Sequence, residues 1–251
     1  MVYKQAIVRK PGKNFADGIT TSDLGQPDFD LAIDQHQQYC NALKSCGLKI
    51  VELKADVNFP DGCFVEDVAI VTDRIAIITI PGNVSRNGEQ FSVSQTMFEL
   101  RPLYNLKQPG TVDGGDILRV ENHFYIGRSN RTNEDGSRQL SNILNSYGFT
   151  TSEILVSEGL HLKSSVTYIG DNTIVATEQY APFFPGMDVV VVGEDESYAA
   201  NCLQVNNHTI ISSGFPELKK KLTKKKRKLI ELDMSEFRKM DGSLTCLSLL
   251  F

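Results

Sequence analysis

Along this chain a β-hairpin signal, a helical stretch and a further strand follow one another, and the set recurs about every fifty residues. Strand patterns fall at Gln5–Arg9, Leu48–Leu53, Asp67–Val71, Ala76–Ile80, Asp116–Val120 and His123–Ile126. They continue at Ser165–Ile169, Thr173–Thr177, Val189–Val192, Cys202–Val205, Thr209–Ser212 and Leu229–Leu232. Glu121-Asn122, Gly170-Asp171-Asn172 and Asn206-Asn207 supply the turn chemistry of tight hairpins. Helical periodicity covers Phe29–Cys46 and Asn133–Tyr147, each followed by a glycine that ends it, Gly47 and Gly148. Shorter helices are expected at Ser94–Leu100 and Pro216–Lys226. No Pro/Gly/Ser linker separates the units, and their literal identity is weak, so the repeat is one of pattern. About five ββαβ-like units would close into a ring with a polar central channel; two stacked α/β domains are the alternative.

Two hundred and fifty-one residues, 41% hydrophobic and 23% charged, are enough to bury a core without covalent staples. The five cysteines are odd in number, scattered and free of CxxC spacing, which argues against a disulfide framework or a thiolate zinc site. Met1–Lys10 lacks the apolar core of a signal peptide, and runs such as Asp188–Val192 are too short for a bilayer. A cytoplasmic protein with no membrane partner is expected. The net charge of -5 disfavours nucleic acid. Lys219–Lys228 is locally basic, but Leu218 and Leu222 have the spacing of a buried stripe, so a solvated helix face is the expected reading.

Polar residues concentrate where strands should end: Asp61–Asp67, Pro81–Arg86, Asp113–Asp116, Gly159–Lys163 and Asp241–Cys246, with Ser129–Asn133 ahead of a helix. Each alone reads as a turn, a strand-edge carboxylate, a structural histidine or an inert cysteine. Together they hold a cysteine, a histidine and carboxylates, the minimum for covalent catalysis at sulfur. Further acids suit a cationic substrate, and loop arginines suit a carboxylate. An amino acid with a cationic side chain carries both charges.

The segments Phe64–Asp67, Asp113–Asp116, Arg131–Asn133, Leu160–Lys163 and Tyr198–Cys202, in this order and with Cys246 near the end, resemble the dimethylarginine dimethylaminohydrolases. These belong to the guanidine-modifying (amidinotransferase) superfamily, and the likeness runs from Asp17 to Phe251. It implies a pentein fold, a five-bladed pseudo-symmetric α/β propeller, with residues 1–251 as a single catalytic domain. It implies Cys246 as nucleophile, His161 as general acid/base and Asp113 as the carboxylate behind that histidine. By the same likeness Asp67 grips the guanidinium, Asp61 meets the α-amino group, and Arg86 and Arg131 clamp the α-carboxylate. Ile19 falls on a lid, Phe64 walls the pocket, and Cys246 lies in the closing strand. No metal or organic cofactor is implied, and a monomer or homodimer fits.

Asp113 is shorter than the Glu of many bacterial relatives, so its contact with His161 is expected to be longer. Deiminases of unsubstituted guanidines usually carry Asp two residues after the histidine, where this chain has Lys163. Loss of that second anion points to N-methylated arginine, hydrolysed to citrulline and a methylamine. The rival activities are deimination of arginine or of another substituted guanidine. A non-catalytic guanidine-binding protein is the rival from outside enzymes, and it would not need all of Cys246, His161 and Asp113.

Overall fold

The computed structural model describes residues 2–251. Its first two strands, β1 (Gln5–Arg9) and β2 (Lys49–Leu53), pair in parallel across the crossover helix α1 (Phe29–Ser45). Asp28 caps α1 by accepting from the Leu31 N–H, and Gly47 leaves it at φ +93°, in the left-handed region that favours glycine. The next unit has a hairpin, β3 (Ala69–Val71) with β4 (Ala76–Ile78), then α2 (Gln90–Phe98), then β5 (Leu103–Asn105) parallel to β4. The third repeats this with β6 (Ile117–Val120), β7 (His123–Arg128), α3 (Glu134–Ser146) and β8 (Thr150–Leu155).

In the fourth, β9 (Val166–Tyr168), β10 (Thr173–Thr177) and β11 (Asp188–Val192) pair the same way, but only a 3-10 turn, Ala181–Phe183, makes the crossover. The fifth comprises β12 (Leu203–Val205), β13 (His208–Ser212), α4 (Pro216–Lys224) and β14 (Lys228–Leu232). A short α5 (Ser235–Arg238) leads back to β15 (Leu249–Leu250), which pairs antiparallel with β1 and completes the first sheet. Five three-stranded sheets result.

Five apolar clusters hold them, each spanning two neighbouring sheets. Ile7 and Leu249 meet Ala76 and Ile78; Ile75 and Ile77 meet Ile117 and Phe124; Leu118 and Ile154 meet Ile174 and Ala176. Val175 and Val190 meet Ile211, and Ala6 and Val8 with α1 meet Leu203 and Ile210. Because each sheet shares its core with the next and the last with the first, the units close into a ring rather than two stacked domains. One inner strand per blade (β3, β6, β9, β12, β15) lines a central channel of about 1150 Å³.

The elements differ from the sequence expectations in instructive places. Asp67 and Val68 are not strand but part of a 3-10 turn, Val65–Val68, since the Asp67 N–H turns back to the Phe64 carbonyl. Cys246 is likewise in a turn, Thr245–Leu247, just ahead of the closing strand. Helix α2 runs Gln90–Phe98 instead of 94–100, with Val93 and Met97 as its buried i, i+4 pair. Among the basic residues, Lys219 pairs with Glu231, Lys225 with Asp188 and Arg227 with Asp171, over the buried Leu218 and Leu222. Among the described residues no helix is long and apolar enough to cross a membrane.

Candidate active site

All five inner strands start at the same end of the channel, and each is entered through a 3-10 turn: Val65–Val68, Gly114–Asp116, Leu162–Ser164, Glu194–Ala200 and Thr245–Leu247. The pseudo-symmetric fold therefore gathers side chains from distant sequence segments at one mouth. The second strand of each hairpin runs back to that end, so the loops after β4 and β7 deliver Arg86 and Arg131 to it.

His161 is buried, and its Nε2 lies 2.9 Å from Oδ2 of the fully buried Asp113. The Asp113 Oδ1 accepts from the Gly82 N–H at 2.8 Å, and Arg131 Nη1 stands 3.8 Å from Oδ2. The contact is an ordinary hydrogen-bond length, so the shorter acid does not lengthen it. Close backbone approach compensates: a Cβ on Gly114 would lie 2.0 Å from the Glu66 carbonyl, and one on Gly115 2.5 Å from His161 Nδ1. Only glycines let the Asp113 turn pack this tightly against His161.

Asp67 faces the other side of this group. It accepts from the Gly115 N–H at 2.9 Å and from Arg86 Nη1 at 2.7 Å. Asp67, Asp113 and His161 present ligand atoms within 4.8 Å of one another, close enough to share a cation. Their oxygens are already engaged by Arg86, Gly115, Gly82 and His161, so the set is better described as a hydrogen-bonded His161–Asp113 pair with the Asp67 charge beside it.

Burial alone would lower the His161 pKa, but the Asp67 charge, the Asp113 hydrogen bond and Asp116 outweigh it and raise it to about 9. Asp67 is the converse case. Burial favours its neutral form, yet His161 and Arg86 hold it at about 2. Cys246 is half-buried, and its Sγ accepts from the Ser243 N–H at 3.4 Å. Burial, then Glu66 and Asp67, push its thiol up to about 12. At neutral pH these shifts favour the thiol form of Cys246 and the imidazolium form of His161.

Both Asp61 carboxylate oxygens accept from the Ile19 N–H, at 3.1 and 3.2 Å, and the segment after Ile19 is latched by Thr21 to Asp241. Phe64 sits in an aromatic cluster with Phe15 and Phe237, with Gly242 of the cysteine loop pressed on its ring. Arg86 is not a free clamp here. Its Nε and Nη2 bind Glu89, its Nη1 binds Asp67, and Nη2 also faces the Asp61 and Phe64 carbonyls. Lys163 forms a partly buried ion pair with Glu66, which also accepts from Thr245 Oγ1 at 2.8 Å.

Three residues went unassigned in the sequence reading. Glu89 is the counter-charge of Arg86. Asp116 accepts from Ser129, Thr132 and the Leu162 N–H, and so pins the turn after His161. Asn201 bridges two loops. Asp116 and Asn201 lie inside segments already singled out, and Glu89 stands at i+3 from Arg86, but only contacts across the fold reveal what they hold.

A second Cys–His pair provides a contrast. On α1, Cys40 Sγ lies 3.8 Å from His36 Nδ1, with Glu52 nearby, but His36 Nε2 has no hydrogen-bond partner. Burial lowers His36 to about 4 and raises Cys40 to about 11, so both stay neutral at pH 7. The residues at the channel mouth differ in that the histidine, His161, is hydrogen-bonded to a carboxylate, Asp113.

No family model matches the chain. Against individual proteins, it is 41% identical to the N(G),N(G)-dimethylarginine dimethylaminohydrolase of Pseudomonas aeruginosa, over 100% of both chains. The chain belongs to the dimethylarginine dimethylaminohydrolase family. The dimethylarginine dimethylaminohydrolase of Streptomyces coelicolor is 33% identical over 99% of this chain and 97% of its own. A solved structure of the Pseudomonas aeruginosa dimethylarginine dimethylaminohydrolase, in a cysteine-to-serine mutant complexed with citrulline, superposes with a TM-score of 0.98 at 40% identity, covering 100% of each chain. The five-bladed ring is thus the fold of this family.

Proposed function

We propose that this chain hydrolyses N-methylated arginine, dimethylarginine or monomethylarginine, to citrulline and a methylamine through a covalent thiouronium on Cys246. The observation that carries the reading is the hydrogen-bonded pair Asp113–His161 set against Asp67, at the mouth where Cys246 stands. Carboxylates outnumber cationic groups around that mouth, so a guanidinium entering beside Asp67 is drawn in by charge. It displaces the Cys246 proton by the same attraction and so helps to make its own attacker.

The thiolate adds to the guanidinium carbon, forming a C–S bond and a tetrahedral intermediate. His161 gives its proton to the methylated nitrogen, the C–N bond breaks, and the methylamine leaves. The neutral His161, kept oriented by Asp113, then takes a proton from water. Addition of that water breaks the C–S bond and returns citrulline and the thiol. Asp61 holds the substrate's α-amino group, and Arg131 its carboxylate. Arg86 joins that clamp by exchanging its contact with Asp67 for the substrate. Ile19 closes as a lid, and Phe64 stiffens the pocket wall.

The Lys163–Glu66 pair supports a methylated substrate. It neutralises a carboxylate that would otherwise bind the distal guanidine nitrogens, leaving fewer polar partners than an unsubstituted guanidinium needs. Citrulline release over a panel of dimethylarginine, monomethylarginine, arginine and agmatine tests this. Dimethylarginine should exceed arginine in kcat/KM by about 100-fold or more. A preference for arginine contradicts the substrate assignment. Five unpaired cysteines, four of them buried, suit a reducing compartment, and we infer that the protein is cytoplasmic.

A further inference from the structure

Asn201 plays no part in the reaction above, yet its amide is almost fully used. It is 3% exposed, its Oδ1 accepts from the Thr245 N–H at 3.0 Å, and its Nδ2 donates to the Lys163 carbonyl at 2.9 Å and to Thr245 Oγ1 at 3.1 Å. Thr245 immediately precedes the nucleophile, and Lys163 follows the base by two residues. Thr245 Oγ1 donates to Glu66 Oε2, and Glu66 Oε1 takes Lys163 Nζ, so Asn201, Thr245, Glu66 and Lys163 close a ring. Its members enter four different blades, since they precede β12, β15, β3 and β9.

Two of the Asn201 bonds go to main chain, one in the cysteine turn and one in the base turn. They fix the separation of two backbones, which a contact between side-chain tips does not. Glu66 offers a second link, but through a threonine hydroxyl and a long, rotatable lysine. Both halves of the reaction depend on His161 reaching groups attached to Cys246, so both depend on that separation.

We propose that Asn201 is a positioning residue that sets the distance between Cys246 and His161 by cross-linking the turns that carry them. The proposal rests on the thiouronium reaction. Asn201→Ala removes both main-chain bonds while leaving Asp61, Asp67, Arg86 and Arg131 in place. With dimethylarginine, kcat should fall by about 10- to 100-fold, with KM within about threefold of wild type. Alkylation of Cys246 by iodoacetamide needs its thiolate but no proton delivered by His161, so in the same variant its rate at a given pH should stay within about threefold.

Asn201→Asp keeps the shape and the acceptor for Thr245, but turns an oxygen towards the Lys163 carbonyl. Its kcat should also fall by about tenfold or more, and it decides the matter if the alanine variant does not fold. A folded variant with kcat within about twofold of wild type overturns the positioning role, as does an alkylation rate that falls in Asn201→Ala in proportion to kcat. Wild-type turnover is measured alongside. Its absence overturns the reaction and this proposal together, whereas normal wild-type and undiminished variant turnover overturns the positioning role alone.

Discussion

Cys246→Ser is expected to lower citrulline formation from dimethylarginine by ~10⁴-fold or more, with binding of the substrate retained. A hydroxyl is far harder to ionise than a thiol, and burial with Glu66 and Asp67 already pushes the Cys246 thiol up to about 12. One guanidinium can draw a proton from sulfur in this setting but not from an alcohol. The groups that grip the substrate are untouched, because Ser243 N–H is the hydrogen-bond partner of Sγ and serves an oxygen equally well. Calorimetric titration with dimethylarginine should therefore give a dissociation constant within about tenfold of the wild-type KM. Turnover by the serine variant within tenfold of wild type would contradict a nucleophilic role for Cys246.

Asp113→Asn should reduce kcat by ~10²- to 10⁴-fold and shift the pH profile, and the sign of the shift follows from proton counting. At neutral pH the two shifts favour a thiol and an imidazolium, while attack needs a thiolate and an imidazolium, so one proton must leave. The group that releases it first is His161, raised to about 9, since the thiol is held higher still. Wild-type kcat/KM should thus rise with pH and level off near 9. The limb in kcat should lie lower, because the bound cation favours the thiolate. Asparagine at 113 removes a charge and a hydrogen bond that favour the imidazolium, so the kcat/KM limb should move to lower pH. An unshifted limb would mean that Asp113 does not set the basicity of His161.

The ring itself was legible because hairpin chemistry is local. Asn206 sits at φ +53° and Glu121 at +51°, in the backbone region that asparagine and short turns tolerate, and the apolar strands flank them. What local pattern could not show was where strands yield to turns at the channel mouth. Asp67 and Val68 continue an apolar run that reads as strand, yet Asp67 is folded back by bonds to Gly115 and Arg86, which lie far away in sequence. The fourth blade lacks a helix between β10 and β11, in keeping with the absence of helical periodicity between Thr177 and Val189, where Pro182 and Pro185 fall.

Within the site, Cys246, His161 and the carboxylates drew notice as residue types. Their supports did not. Asn201 reaches Thr245 across 44 residues, and Glu66 reaches it across 179, so neither bond leaves a mark in spacing. Arg86 shows the same limit from the other side. Its charge suggested a carboxylate clamp, but without the fold nothing indicated that Glu89 and Asp67 fill its fork.

The reaction is expected to pass through a bond between Cys246 and the guanidine carbon. Wild-type protein quenched with acid during steady-state turnover of dimethylarginine, then digested and analysed by mass spectrometry, tests it most directly. An adduct is expected on the peptide containing Cys246, with the mass of the substrate less dimethylamine, which is lost when substrate is exhausted and never forms in Cys246→Ser. Sustained citrulline release with Cys246 unmodified throughout would contradict it.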